Sequence, residues 1–278
     1  MAPVDRLEEA RSFHAKLMAA ASGTDDPRHE RVFHLVPREV FMGPGPWKIA
    51  INRQYIETPS ADPIHLYQNS LVALDASRSI NNGEPYLHAA WIGAVAPRSG
   101  ETVVQIGAGT GYYSAILATL VLPDGHVWAY EINEALARRA TDNLEAFDTV
   151  TVVYADATTA EMPPCDLIYV NAGVVSPPAH WLQALRPGGR IIFPWQFSGS
   201  VGATMIMTRR EEGFAVRRLG WSWFIPCIGA SDAELCKLAP TVQQVPLITE
   251  GWLTSERAPD ETAMAICASV WFTAQEQP

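Results

Sequence analysis

Gly107, Gly109 and Gly111 stand at alternate positions in "VVQIGAGTGYYSAIL", between an apolar run that suits a buried strand and a stretch that suits a helix. Glycines at such a junction permit positive φ and let a ligand approach the backbone, so the loop is a candidate cofactor cradle. Three ligand classes use such loops: a nicotinamide dinucleotide, a flavin and S-adenosylmethionine. A dinucleotide fingerprint wants a third glycine at the sixth position. Tyr112 stands there instead, and its side chain would crowd a pyrophosphate. Two acids then follow successive strand-like runs. Glu131 ends "VWAYE" about 20 residues after Gly111, where a carboxylate can accept both ribose hydroxyls. Asp156 ends "VVYAD", where it can meet an adenine amino group. A nucleoside without phosphates needs this pairing and no cationic clamp, so S-adenosylmethionine fits best. Taken singly, Glu131 could be a helix-start carboxylate and Asp156 a loop acid. Their joint placement behind the glycine loop carries the cofactor reading. The predicted cofactor contacts are Gln105, Ile106, Gly107, Ala108, Gly109, Gly111, Tyr112, Glu131, Ile132, Asp156, Ala157 and Asn171.

The stretch "INNGEPYLHA" lies just upstream. Asn-Asn-Gly is turn chemistry, and Pro85 suits a first helical position, where the missing N–H costs nothing. His88, one turn past Pro85, is the candidate base or acceptor contact, although a histidine without a visible partner is more often an ordinary packed or surface one. Asn82 offers an amide that both donates and accepts. Asn171 follows a predicted strand, near where a transferred methyl would lie. His88, Asn82 and Asn171 are thus the candidate catalytic residues. Methyl transfer from a sulfonium is an in-line displacement, to which a protein contributes alignment and exclusion of water. A carboxylate acceptor needs no base, whereas a hydroxyl, amine or carbon acceptor does.

Strands and helices must alternate to hold these residues, and they do so from residue 85 onward. "TVVQIG", "HVWAYEI", "TVTVVYAD", "DLIYVNAG" and "RIIFPW" read as strands separated by helical stretches, with Asn133 the predicted cap of one helix. That pattern implies a parallel sheet covered by helices on both faces. Residues 203–225 read as two strands around a Glu-Glu-Gly turn, giving an α/β, Rossmann-like fold of seven mostly parallel strands with an antiparallel edge hairpin. Residues 1–60 read as helical and then irregular, with Asp26 as a cap and Pro37 as a stop. The tail after residue 230 is weakly patterned, with one strand at "AICASVWF". The expected organisation is an N-terminal helical cap (1–84), a core (85–230) and a C-terminal extension packed on it (231–278).

A net charge of −10, with no run of Lys and Arg, argues against a nucleic-acid partner. No apolar run reaches the length of a membrane span, and the N-terminus lacks a signal-peptide core, so a cytoplasmic protein is expected. Cys165, Cys227, Cys236 and Cys267 have no metal-ligand spacing and read as reduced, mostly buried thiols, with no metal expected. Trp195, Trp221, Trp223 and Trp252 come late in the chain, mostly as core, with an aromatic wall for an apolar acceptor as a second role.

The chain resembles class I S-adenosylmethionine-dependent methyltransferases, and more narrowly the protein-L-isoaspartate O-methyltransferase family. "RVFHLVPREVF", "VVQIGAGTGYYSAILA", "CDLIYVNAGVVSPPAHWLQALRPGGRIIFPW" and "WFIPCIGA" carry the likeness, which spans about residues 30–230. Two departures stand out. Gln105 replaces the acid usual two positions before the first glycine. Asn81-Asn82-Gly83 follow Ser79-Ile80 where the family has a serine that helps hold the substrate carboxylate. By resemblance, "INNGEPYLHA" is the acceptor-side lip, and its altered chemistry implies an altered acceptor, a peptide carboxylate or a small metabolite, with inefficient isoaspartyl repair. The alternatives are a genuine isoaspartyl methyltransferase and a non-catalytic cofactor-binding module; a nicotinamide oxidoreductase is disfavoured by Tyr112.

Overall fold

The computed structural model describes residues 5–52, 54–199 and 201–274. The first residues of the expected 1–84 segment and the last of 231–278 lie outside them. In chain order the elements are α1 (Arg6–Ser22), α2 (Arg28–Leu35), α3 (Glu39–Met42), β1 (Lys48–Ile51), β2 (Gln54–Glu57), β3 (Leu71–Asp75), β4 (Ile80–Asn81) and α4 (Pro85–Val95). Then come β5 (Thr102–Ile106), α5 (Tyr112–Val121), β6 (His126–Glu131), α6 (Glu134–Asn143), β7 (Val150–Tyr154), β8 (Cys165–Val170), α7 (Ala179–Ala184) and β9 (Leu185–Trp195). The last are β10 (Ala203–Arg209), β11 (Phe214–Trp221), β12 (Cys236–Leu238), β13 (Glu250–Leu253), β14 (Ala265–Cys267) and β15 (Val270–Thr273). Contacts group them into two units, residues 1–100 with 108–154, and residues 101–107 with 155–278.

In the first unit, α1 packs on α2 and α4. Asp26 Oδ1 accepts Arg28 N at 2.9 Å as α2 begins, and Asn133 Oδ1 accepts Leu136 N at 3.2 Å as α6 begins. Asn133 is the N-cap its residue type favours, whereas Asp26 makes an i,i+2 turn one residue ahead of Pro27, which takes the cap position expected for Asp26. Pro85 opens α4 as expected, but its cap comes from afar. Asn69 accepts Tyr86 N at 2.9 Å through Oδ1 and donates to Glu84 Oε1 at 2.6 Å through Nδ2. An antiparallel sheet in the order β2-β1-β3-β4 begins in the stretch expected to be irregular, which holds β1 and β2, and is completed by β3 and β4 beyond residue 60. Its strands have at most five residues and show no buried alternation, so no period-two signal marks them. β6 and β7 pair in parallel. Arg38, fully buried, ties down the segment before β3 by donating to Leu66 O at 2.6 Å, Gln68 O at 3.1 Å and Ser70 O at 2.9 Å.

In the second unit, β5, β8 and β9 run parallel, and β10 and β11 form the expected hairpin, closed by Arg210 N donating to Gly213 O. The antiparallel part runs on past that hairpin. β11 pairs with β13, β13 with β15, β15 with β14 and β14 with β12, so nine strands of this unit join in one sheet where seven were expected for the whole fold. "AICASVWF" is two strands about an Ala268-Ser269 turn rather than one. Arg190 holds β9 to the start of β5 by two bonds to Glu101, at 2.8 and 2.9 Å. Trp181, Trp195 and Trp271 are fully buried in this unit. Among the described residues, no helix is long and apolar enough to cross a membrane.

Candidate active site

The first unit carries the later part of the glycine loop. Gly109 and Gly111 have positive φ, and a Cβ at Gly111 would lie 2.6 Å from Leu144 Cδ1, so only glycine lets α5 start this close to the end of α6. Ala108 N donates to Tyr130 O, and Asn143 Nδ2 donates to Thr110 O at 2.9 Å, pinning the loop from β6 and α6. Glu131, nearly buried at the end of β6, accepts Gly109 N at 2.7 Å through Oε2 and Asn133 N at 2.9 Å through Oε1. Burial pushes its carboxyl up, against those hydrogen bonds, which favour the ionised form. A carboxylate offers about four acceptor positions, so capacity remains for hydroxyl groups of a ligand. Ile132, beside it, is 41% exposed and presents an apolar surface.

Tyr112 is placed differently from its sequence reading. Its ring lies in the core, 5.0 Å from the Tyr113 ring and 5.6 Å from that of Phe41. Its side chain therefore fills the interior rather than the space over the loop, and only its backbone belongs to the helix start.

The same unit holds the "INNGEPYLHA" lip. Leu74 of β3 lies 3.2 Å from where a Gly109 Cβ would stand, and Arg78 is near enough to Glu131 to favour its charge, so the β3–β4 segment borders the glycine loop. Asn81 Oδ1 accepts Gly83 N at 2.8 Å, the local turn that Asn-Asn-Gly predicts. Asn82 N donates to Val72 O, and its side chain is nearly buried with Nδ2 unpartnered. His88 sits beneath this turn. Its ring stacks on Tyr113 at 3.9 Å, and a methyl at Gly83 would collide with it. Burial, with the Arg38 charge in support, lowers His88 to about 3. Such an imidazole stays neutral and is a weak base, so the geometry gives it the part of a prop under Gly83 rather than of a proton acceptor.

The second unit carries the start of the loop. Gln105 and Ile106 are buried at the end of β5, and Gly107 has positive φ. Asn171 N donates to Ile106 O at 2.8 Å and Asn171 Nδ2 donates to Gly107 O at 3.1 Å. Asn171 Oδ1 is buried with no partner. A buried carbonyl oxygen left open in this way is a place for a ligand's N–H or O–H donor. Asp156 spends Oδ1 on Thr158 N at 2.8 Å and Thr158 Oγ1 at 2.7 Å, shaping its own loop. Ala157 O accepts Trp181 Nε1 at 2.8 Å and a ring nitrogen of His180 at 3.1 Å, anchoring that loop to α7.

Residues 223–230 form a segment whose geometry the sequence did not reveal. They are not a strand but a strap. Gly173 N donates to Ile225 O, Cys227 N to Gly173 O, Val175 N to Ala230 O, and Gln196 Nε2 to Phe224 O. Gly229 then abuts Thr158. The strap thus runs from beside Asn171 to beside Asp156, and it leaves Trp223 53% and Ile228 57% exposed. The late tryptophans divide accordingly: Trp195 is core, Trp252 stacks with Trp271 under Arg257, Trp221 lies under Arg218, and Trp223 faces outward.

A model of the protein-L-isoaspartate(D-aspartate) O-methyltransferase family matches residues 49–232. Protein-L-isoaspartate O-methyltransferase 2 of Pelobacter propionicus is 30% identical over 214 residues, covering 75% of this chain and 85% of its own. Protein-L-isoaspartate O-methyltransferase 1 of Cupriavidus necator is 29% identical over 222 residues, 77% and 78% of the two chains. Among solved structures, one described as a protein-L-isoaspartate O-methyltransferase superposes with a TM-score of 0.66 at 20% identity, covering 95% of this chain and 88% of that one. A Plasmodium falciparum structure in complex with S-adenosyl-L-homocysteine gives 0.62 at 15% identity, covering 78% and 97%. Both structural likenesses show the class I methyltransferase fold.

Proposed function

This chain belongs to the protein-L-isoaspartate(D-aspartate) O-methyltransferase family, and from that premise we propose that it methylates a carboxylate of a peptide, with an isoaspartyl carboxylate as the first candidate. It is an S-adenosylmethionine-dependent methyltransferase. When bound, S-adenosylmethionine supplies an electrophilic methyl group on a sulfonium. Glu131 would hold the ribose hydroxyls with its remaining acceptor capacity, and Ile132 would cover the base. Asp156 and the backbone of Ala157 would meet the adenine edge, and Asn171 Oδ1 would accept from the amino-acid end. The buried, open Oδ1 of Asn171 supports that fit.

The single observation that favours a carboxylate is the Asn82 side chain, buried with its Nδ2 unpartnered. An amide N–H is a donor, and a carboxylate is the acceptor-only partner that suits it. The neighbouring imidazole of His88 is a poor base, which a hydroxyl or amine acceptor would need and a carboxylate does not. The missing family serine is then a change of donor rather than a loss of acceptor chemistry.

The test offers an isoaspartyl peptide, its aspartyl twin and the same peptide with that carboxyl amidated. The expected result is transfer to the isoaspartyl peptide as a base-labile ester, less to the aspartyl twin, and none to the amide. Base-stable methylation, or equal transfer to the amide, would overturn the carboxylate reading. Asn82→Ala is expected to lower turnover about tenfold with S-adenosylhomocysteine affinity nearly unchanged, because a lost acceptor contact leaves cofactor binding alone.

A further inference from the structure

The family match ends at residue 232, and two cysteines face each other beyond it. Cys236 opens β12 and Cys267 closes β14, and the two are direct partners in the antiparallel pair. Ala268 N donates to Leu235 O at 2.7 Å on the adjoining rung. Bonded and non-bonded rungs alternate, so Cys236 and Cys267 occupy a non-bonded one, where Cα atoms lie about 4.5 Å apart and side chains are closest. That separation is within the span a disulfide bridges. Both residues are free thiols with Sγ atoms 3.5 Å apart. Cys267 is buried and donates its S–H to Cys236, which is half-buried and reachable. That hydrogen bond holds the Cys236 thiol below its usual range. Cys165 and Cys227 lie in other elements, where burial pushes each thiol up to about 12. Leu235 and Ala268, one residue from each partner, line a cavity of about 380 Å³ together with Asp156, Thr158, Ser176 and Pro178.

We propose that Cys236 and Cys267 are a modification site, forming a reversible intrachain disulfide by exchange with a small-molecule disulfide such as glutathione disulfide. The Cys236 thiolate attacks one sulfur of the oxidant, whose S–S bond breaks and releases one glutathione. Cys267 gives up its proton, and its sulfur attacks Cys236 Sγ, releasing the second glutathione. Two protein thiols are oxidised and one disulfide is reduced to two thiols, so atoms and electrons balance. The bridge would staple β12 to β14 beside the loop that carries Asp156.

The full chain is incubated with glutathione disulfide, then digested without reduction and examined by mass spectrometry. The expected product is a cross-linked peptide pair joining Cys236 to Cys267, lighter by two hydrogens. The titratable thiols of the denatured chain should fall from 4 by one pair, and dithiothreitol should restore them. Cys267→Ser is expected to accumulate glutathione on Cys236. Cys236→Ser, at the less buried position, is expected to take up none. An unchanged thiol count, glutathione held on Cys236 of the parent chain without a bridge, or a bridge between another pair would each overturn the proposal.

Discussion

Glu131→Ala will bind S-adenosylhomocysteine about ten- to a hundredfold more weakly than the parent protein, while the ligand-free variant unfolds at nearly the same temperature. The affinity loss is that of leaving two buried hydroxyls without their acceptor, about 1–3 kcal/mol. The stability half follows from the carboxyl's environment. Burial raises Glu131 above its ordinary value despite the hydrogen bonds from Gly109 N and Asn133 N. A carboxyl raised on folding adds stability below its unfolded value, and that contribution is lost as the pH rises through the folded one. At neutral pH the ionised side chain is therefore a net cost to the ligand-free fold. Its removal forfeits two backbone contacts and relieves that cost. A residue that the fold holds at a disadvantage is one whose benefit comes with a ligand.

The same sign predicts the pH response. Because Glu131 titrates higher than an ordinary glutamate, acidification will protonate it early and weaken S-adenosylhomocysteine binding before the exposed carboxylates change state. Calorimetric titration of parent and variant at neutral and mildly acidic pH checks both statements. Equal affinity of the two proteins at neutral pH would sink the ribose assignment.

Much of this arrangement could be read from local chemistry, and the rest depends on partners distant in the chain. The glycines at 107, 109 and 111, the acid at the end of β6, the Asn133 cap and the Pro85 helix start are set by residues within a turn or two. Their positions were therefore legible. What each acid touches was not: that Glu131 bonds Gly109 N depends on a partner 22 residues away. The β1–β4 sheet escaped because its strands are short and pair across loops, with Ala50 opposite Leu71. After residue 232 only "AICASVWF" was legible as strand, and β12 and β13 escaped for the same reason, Cys236 finding its partner 31 residues on. The expectation of a changed acceptor rested on the missing serine. Residue type alone could not say that Asn82 would be buried with its N–H open, or that His88 would be enclosed. Burial of a polar side chain is a property of packing, and no periodicity announces it.

That packing leads to the largest effect expected. Acidification from neutral to about pH 5 will remove about 4 kcal/mol of folding stability through His14 and His88 alone. Both rings are almost wholly buried in the first unit. His14 lies edge-on to Tyr67 at 5.5 Å with neither ring nitrogen bonded, and His88 is stacked on Tyr113. Burial, with the Arg38 charge adding to it, lowers each from 6.5 to about 3. A histidine lowered on folding keeps the native state neutral while the unfolded chain takes up a proton below 6.5. Stability is therefore full above that value and falls as the pH drops toward the folded one, by about 1.4 kcal/mol per pH unit for each ring. His29, also lowered by burial, adds in the same direction. Glu131, raised, works the other way and offsets part of the loss. Asp26, Asp75 and Asp260 are held low by hydrogen bonds, so their contributions are lost only at more acidic pH. Against a typical total of 5–15 kcal/mol, the histidine term is large enough to bring the transition into reach of mild acid. Urea unfolding at neutral pH and at about pH 5 measures it. His14→Phe removes one titrating ring without breaking a hydrogen bond, and it should cut the pH slope by about half. Identical unfolding free energies at the two pH values would mean that the rings take up protons in the folded state, and the neutral, enclosed His88 beneath Gly83 would go with them.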